Sequence, residues 1–542
     1  MALPERQSAT FGATSSSGIT HGAGASIFWI VSLAVYLLAI VYFLGRIGLG
    51  DLGREFYYQS DNLWLPVFLK NLTGPATLKV WRFPPNIYLL PEVLLFGGLE
   101  LVLRNVHLSL VVFSLIQLVA YGLALFYFLK NVASSNIAYI VFLLLSLVCV
   151  RIDNSDFYYW QFFLLNSFHF GAVTCNIVSL YLVNAVIFSK DAGPAKSAYG
   201  LLLAFSTICS FSDLLYIVQF CGPMVLLLLL TAFFFPWLGR SLVTAAILTG
   251  SSVLGIVIKK LCIAYTSLAT SPRFFDPQVH FAALGHILSA FTELFDNSPI
   301  VTVVSLGCFV AAVVFVCLMI RKHGKFALLY PKAFFLMFCL LSAMANVAAG
   351  VLFLSDLFRY FLPILFIYPL VFLLLLVDES AAAGSLFGKK VVLAAAVLPL
   401  VGMIWFGRGN FSGLANLSDY YPEEVACIDA NAERLGLRYG LANYDQANYL
   451  NIVSKKNLLV ASVYTDMRPQ HHLNSLQWYS LPFDFALIDT SSPYQPDVAS
   501  KTSDYREYVC GQTKLVVFDE KYRIAPFTLY ELYQLKNNTY PP

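Results

Sequence analysis

Charge is what this chain has least of. Only 12% of its 542 residues are Asp, Glu, Lys or Arg, about half the roughly 25% of a soluble domain. Most of the chain therefore has no water to face, which excludes an ordinary soluble enzyme. The charge that remains nearly balances, at +3, and so small an excess gives no surface for nucleic acid. Repeats are lacking as well: no extended Gly/Ser, Gln/Asn or heptad-like pattern stands out. Nor is a cleavable leader visible. The apolar run Ile27–Leu44 is too long for a signal-peptide core and lacks a small-residue cleavage site, so it reads as a retained signal anchor. The Ser/Gly/Ala/Thr-rich segment 1–25 before it reads as a disordered cytoplasmic tail.

Cysteine is scarce where it would be informative. Of ten, eight lie in apolar spans, where a small buried thiol is the ordinary reading. Only Cys427 and Cys510 fall in the polar tail, and they are candidates for a disulfide if that tail is periplasmic or lumenal. His471 and His472 are adjacent but have no Cys or acidic partner at ligand spacing, so they read as a polar loop and no metal site is expected.

What the chain does have is apolar length: 58% hydrophobic residues and a mean hydropathy of +0.71. A spanning helix needs roughly 20 mostly apolar residues. About eleven segments qualify: 26–45, 108–129, 134–150, 169–189, 198–216, 219–238, 241–262, 299–320, 332–354, 360–377 and 391–406. The apolar stretch 91–103 is too short and reads as an interfacial or re-entrant helix. An odd number of spans puts the two ends on opposite sides. With the N-terminus inside, every short inner loop is basic, from Lys130 through Lys190, Lys196, Arg240 and the Arg321–Lys332 cluster to Lys389 and Lys390. The outer side is not clean, because Arg54, Arg82, Arg104, Arg151, Lys259, Lys260, Arg273 and Arg359 fall there. Such cations suit a phosphate-bearing ligand at the outer interface, or snorkelling side chains among phospholipid headgroups.

From about residue 407 the hydropathy collapses. A helix is expected over 422–435, and strands over 437–442, 457–464, 483–489 and 514–519. With helical stretches between some of them, a small α/β domain over 407–542 is the natural reading.

The first outer loop, 46–107, holds the densest polar content. Asp61 opens an amphipathic stretch in which Leu63, Val67 and Leu69 mix with Trp64 and Lys70, as in a helix lying in the membrane interface. Ser60 or Asp61 could cap that helix. Trp81, Pro84, Pro85, Tyr88 and Pro91 then make a rigid, aromatic, non-helical segment, tolerated near a bilayer where it lines a cavity or sits on protein. An acid flanked by Tyr57, Tyr58 and Trp64 suits a polar, hydroxyl-rich ligand, because aromatic faces stack on sugar rings. Asp153, Asp156, His169, Asp213 and Arg359 are expected to converge on the same side. Ionisable groups at membrane depth default to functional hypotheses. Asp213, apolar on both sides, is read that way, whereas Asp153 and Asp156 share a polar loop and are read as structural.

An anchor, a long outer loop whose first helix begins at Asp61, a Trp/Pro-rich segment, about ten further helices and an outer soluble domain form a known layout. It resembles the GT-C superfamily of polyprenyl-phosphate-sugar-dependent glycosyltransferases, closest to bacterial relatives of the protein O-mannosyltransferases and the lipid A aminoarabinose transferases. The resemblance covers the architecture of most of the chain. Asp61 matches the family's first-loop acid by position. The family often has Asp-Glu or Asp-x-Asp there, whereas this chain has Asp61-Asn62, and Glu92 is the nearest counterpart of the loop's second acid.

The resemblance implies an all-α, GT-C-like membrane bundle of about 11 helices over 26–406 with a small C-terminal α/β domain. It implies an inverting transferase in a bacterial inner membrane, with the N-terminus cytoplasmic and the C-terminal domain periplasmic. Its partners would be a polyprenyl-phosphate-linked sugar donor, a glycan, lipid or protein acceptor, and membrane lipids. Asp61 would be the general base, and Arg104, Lys259, Lys260 and Arg359 the candidates for the departing phosphate. Asp213, His169, Tyr57, Trp64 and Trp81 would complete the substrate site. No cofactor is expected, and with no Asp-x-Asp in the loop the need for a divalent cation stays open. The competing readings are a transporter or flippase, with Asp213 and the basic helix ends lining a path, and a non-catalytic scaffold. An internal repeat with paired broken helices, which many transporters show, is not seen.

Overall fold

The computed structural model describes residues 23–50, 54, 57–72, 81–84, 86–133, 135–151, 163–166, 169–188, 196–235, 239–263, 299–352, 412–470, 473–490 and 495–523, with scattered positions in 285–296 and 368–404. Asp153, Asp156, Arg273, Arg359 and the pair His471–His472 lie outside them, as do almost all of the spans expected at 360–377 and 391–406.

The membrane part begins with α1 (Ala23–Leu49) and the short α2 (Ser60–Lys70). A π-turn, Leu89–Val93, leads into α3 (Leu94–Leu103). Then come α4 (Val106–Val132), α5 (Ser135–Arg151), α6 (Phe170–Ile187) and α7 (Lys196–Ser212). The series continues with α8 (Leu214–Phe234), α9 (Gly239–Ile263), α10 (Pro299–His323) and α11 (Pro331–Leu352). Among the described residues seven helices are long and apolar enough to cross a membrane, namely α1, α4, α6 and α8 to α11. This is a multi-pass membrane protein. The spans expected at 134–150 and 198–216 form α5 and α7, helices of 17 residues each. Large apolar side chains such as Leu306, Val310 and Leu318 on α10 face outward, as lipid-facing positions do.

Irregular backbone within the bundle is satisfied by side chains. Gln117 and Ser114 of α4 donate to the carbonyls of Phe163 (2.8 Å) and Leu164 (2.7 Å). The Tyr57 hydroxyl shares a 2.9 Å hydrogen bond with Ser114, tying the first loop to α4.

The tail holds α12 (Ser412–Ser418), α13 (Glu423–Leu435), β1 (Tyr439–Ala442), α14 (Tyr444–Val453), β2 (Leu459–Ser462), β3 (Phe483–Asp489), β4 (Tyr505–Cys510) and β5 (Thr513–Tyr522). The sheet order is β2-β1-β3-β5-β4. The β2-β1-β3 part is parallel, β5 runs antiparallel to β3, and the edge strand β4 runs antiparallel to β5. Phe483 to Leu487 of β3 are all buried, as expected for a central strand covered on both faces. Cys427 of α13 and Cys510 at the end of β4 are bonded as a disulfide, with Cα atoms 5.6 Å apart.

The tail domain docks on the first loop, and this corrects one expectation. α2 does not leave an apolar face open to a membrane interface: Ser60 and every residue from Asn62 to Phe68 are buried within the protein. The physical reason is that α14 packs over α2. Lys70 donates to Asn451 O (2.7 Å), and Ser60 Oγ to the carbonyls of Tyr444 (3.2 Å) and Asp445 (2.9 Å). The N-cap of α2 is Gln59, with no side-chain cap bond, so neither Ser60 nor Asp61 caps it. Further along, Trp81 forms a β-bridge with Ser475, and Arg82 N–H donates to Asn474 O at 2.9 Å. Glycines let α12 meet α1: a methyl on Gly48 would lie 1.8 Å from Gly413 O, and one on Gly413 would lie 1.9 Å from Gly45 O. Only residues without a Cβ permit that approach.

Candidate functional site

Two polar clusters meet at the first loop. The deeper one starts where α7 ends and α8 begins. Asp213, between them, has extended backbone and caps α8, its Oδ1 accepting the Leu215 N–H at 3.0 Å. Its Oδ2 lies 2.5 Å from His169 Nδ1. His169 precedes α6 in the left-handed region, φ +65°, uncommon for a residue other than glycine. Its Nε2 is 3.1 Å from the Tyr88 hydroxyl, and Tyr88 is itself left-handed, φ +52°. The His169 tautomer with its proton on Nδ1 donates to Asp213 and leaves Nε2 to accept the Tyr88 proton. All three side chains are buried. The result is a dry line of acid, imidazole and phenol.

The backbone around this line is held from both ends. Ser212 O accepts the Tyr88 N–H (3.1 Å), while Ser212 Oγ accepts the Leu90 N–H (2.9 Å) and donates to Leu90 O (3.1 Å). Asn86 Oδ1 accepts from the Leu214 N–H (3.3 Å) and from Lys259 Nζ (3.2 Å). The 86–90 segment thereby joins α7, α8 and α9. Glu92 is buried against Gly171, where a methyl would lie 2.4 Å from Glu92 Oε1. Burial pushes the Glu92 carboxyl up to about 8, so near neutral pH it is mostly protonated and adds little negative charge beside Asp213.

The second cluster is at the junction with the tail domain. Asp61 lies in the first turn of α2 and its Oδ1 accepts the Tyr444 hydroxyl at 2.9 Å. Asn62, next to Asp61, is a structural clamp. Its amide donates to Tyr57 O (2.6 Å), its Oδ1 accepts the Asn166 N–H (2.8 Å), and its carbonyl accepts the Asn166 amide (2.8 Å). One helical turn beyond Asp61, the Trp64 ring sits 6.4 Å from the Tyr88 ring, so α2 touches both clusters.

Of the expected site residues, the structure brings His169, Asp213 and Lys259 together. Lys260 is exposed, on a different face of α9 from buried Lys259, and Arg104 is exposed at the C-cap of α3. Tyr57, Trp64 and Trp81 were expected to offer ring faces to a ligand, but they are 1%, 1% and 0% exposed. They are packing residues in this state: Trp81, for example, abuts Phe68 and Trp478 edge-on. Asn86 and Tyr444 were not singled out from the sequence, and Tyr88 was noted only as part of the rigid segment. Asn86 lies in that same segment, whereas nothing local marks Tyr444, 383 residues from Asp61. Among the described residues no three His, Cys, Asp or Glu side chains converge as metal ligands.

No family model matches the chain, and no curated protein matches it. Among solved structures it is similar to the crystal structure of the Archaeoglobus fulgidus oligosaccharyltransferase tethered with an acceptor peptide containing the NVT sequon via a disulfide bond. The two are 11% identical with a TM-score of 0.42, over 86% of this chain and 69% of that one. A likeness this loose assigns neither activity nor residue roles.

Proposed function

We propose that the protein is an integral-membrane glycosyltransferase that moves a sugar from a polyprenyl-phosphate donor to an extracytoplasmic acceptor with inversion. The observation that carries the reading is the placement of Asp61: a carboxylate on the loop helix that both halves of the molecule enclose, held by Tyr444 from the tail. In the proposed step the acceptor oxygen attacks the anomeric carbon while the bond to the phosphate oxygen breaks. The acceptor proton passes to the Asp61 carboxylate, and polyprenyl phosphate leaves with the bonding pair. Nucleotide sugars are made in the cytoplasm, so a transferase facing outward needs a donor borne by the membrane. Lys259, with the exposed Lys260 and Arg104, supplies positive charge for the leaving phosphate. The setting is a bacterial inner membrane, with the tail domain on the periplasmic side.

The test is purified protein in liposomes with a polyprenyl-phosphate sugar and extracted acceptor. Free polyprenyl phosphate is expected to appear with the wild type, and Asp61→Asn to slow its release by about 10²–10⁴-fold. Near wild-type release by that variant would remove Asp61 from the chemistry. Uptake of the sugar lipid without turnover would mark a transporter instead.

A further inference from the structure

A cavity of about 920 Å³ opens between the tail domain and the first loop. Its position follows from the strand order. The chain leaves β1 for β2 on one side, whereas β3, on the other side of β1, leads on to β5 and β4. The connections from the carboxyl ends of β1 and β3 therefore part in opposite directions, and a crevice must open between them. In open α/β sheets, ligands bind at this point. Gln446, in the first turn of α14 after β1, Asp489, which ends β3, and Thr513, which starts β5, all line the cavity together with Ser60 of the first loop. The volume lies in the 300–1,000 Å³ range of small-ligand sites.

The lining decides the ligand class. Among the described residues its charged side chains are Asp419, Glu423, Glu424, Asp445 and Asp489, with Arg54 as the one base. Five carboxylates facing one guanidinium repel phosphates and acidic sugars. The turn after β1 reads Ala442-Asn443-Tyr444, without the glycines a nucleotide phosphate needs to approach the backbone. A peptide strand finds no edge to pair with, since β2 and β4 form the ends of the sheet and the cavity lies by β1 and β3. Amide, hydroxyl and carboxylate groups are left, a lining suited to many hydroxyls together with positive charge. The walls are braced. Tyr58 and Tyr420 stack at 4.4 Å, Tyr449 bonds to the Tyr420 hydroxyl at 3.2 Å, and Gln446 donates to Thr513 Oγ1 at 2.9 Å.

We propose that this cavity is a binding site for an amine-bearing oligosaccharide, with Asp445 and Asp489 meeting its ammonium groups. The assignment concerns binding and does not require the transfer reaction, so each can fail without the other. The experiment is calorimetric titration of the full-length protein in detergent with four probes: glucosamine trimer, N-acetylglucosamine trimer, galacturonic acid trimer and trilysine. The glucosamine trimer is expected to bind tightest and to weaken with salt, the N-acetylated trimer to bind less tightly, and the acidic trimer not to bind. Asp489→Asn and Asp445→Asn, each with an unfolding midpoint no lower than that of the wild type, are expected to weaken the glucosamine trimer by roughly tenfold or more. Failure of the glucosamine trimer to bind, equal binding of the acidic trimer, tighter binding of trilysine, or unchanged affinity in both variants would each overturn the proposal.

Discussion

His169 Nδ1 and Asp213 Oδ2 lie 2.5 Å apart, with both side chains shielded from solvent and their backbones contributed by different helix ends. A hydrogen bond to a charged group contributes about 1.5–3 kcal/mol, and the partner left behind is itself costly when buried. Asp213→Ala is therefore expected to destabilise the membrane part by about 2–3 kcal/mol in equilibrium unfolding in mixed micelles. The cycle with His169→Gln should show the two changes to be strongly non-additive, because either one dissolves the same contact. Additive losses would mean that the pair is not a working unit.

Asn62 provides a second test. It stands beside Asp61, and its amide nitrogen donates to Tyr57 O. Asn62→Asp keeps the acceptor for Asn166 and removes that donor, leaving a carboxylate oxygen against a buried carbonyl. A loss of about 1–3 kcal/mol in stability is expected, with no gain in transfer rate in the liposome assay. A faster enzyme would show that the position serves the chemistry.

Much of the fold was legible in the sequence because lipid imposes a simple rule: apolar length. α1, α4, α6 and α8 to α11 follow from it, and four strands of the tail follow from short apolar runs. β4 did not, since Tyr505-Arg506-Glu507-Tyr508 on a sheet edge carries the charge and exposure of a loop. The deeper cluster was half legible. Asp213 stands out among apolar neighbours, but Asn86, which accepts from the neighbouring Leu214 N–H, meets Lys259 across a 173-residue separation that no local pattern records. The aromatic residues misled for a related reason. Trp64 and Trp81 belong to an amphipathic and a Pro-rich segment, and only the docking of the tail domain decides that they are covered.

The contact of α1 with α12 rests on glycine, and its replacement is expected to be severe. Gly413→Leu would put a side chain where the Gly45 carbonyl stands. Overpacking of this kind costs about 1–3 kcal/mol and occasionally more, and here the helices themselves must separate. Gly50→Ala is the control, because nothing lies within 4 Å of the added methyl. Folded yield and unfolding midpoint should fall for the first and stay level for the second; equal behaviour would show that the close approach does not matter.

The disulfide between Cys427 and Cys510 ties α13 to the β4–β5 hairpin across 83 residues. Replacing both with Ser is expected to cost the tail domain about 2–5 kcal/mol, read as a lower midpoint in chemical denaturation. Mass-tag alkylation of the denatured wild type should label these two thiols only after reduction. Labelling without reductant would show that the bond is not made.

The junction also carries a pH signature, through Asp445. Desolvation at the domain interface holds its carboxyl above the ordinary aspartate range, with the Asp61 charge adding and a Ser60 hydrogen bond opposing. An acid whose folded pKa is raised binds its proton more tightly folded than unfolded. Protonation therefore favours the fold, and stability is given up as pH rises from the unfolded value near 3.8 through the raised folded one. Asp445→Asn keeps the shape and removes the titration. Its unfolding midpoint should exceed that of the wild type at neutral pH, and the gap should close as the pH is lowered toward about 4. Because other groups titrate equally in both proteins, the difference between the two curves isolates this carboxyl. A gap that is constant with pH, or that widens on acidification, would mean that Asp445 is solvated as freely in the folded protein as in the unfolded chain.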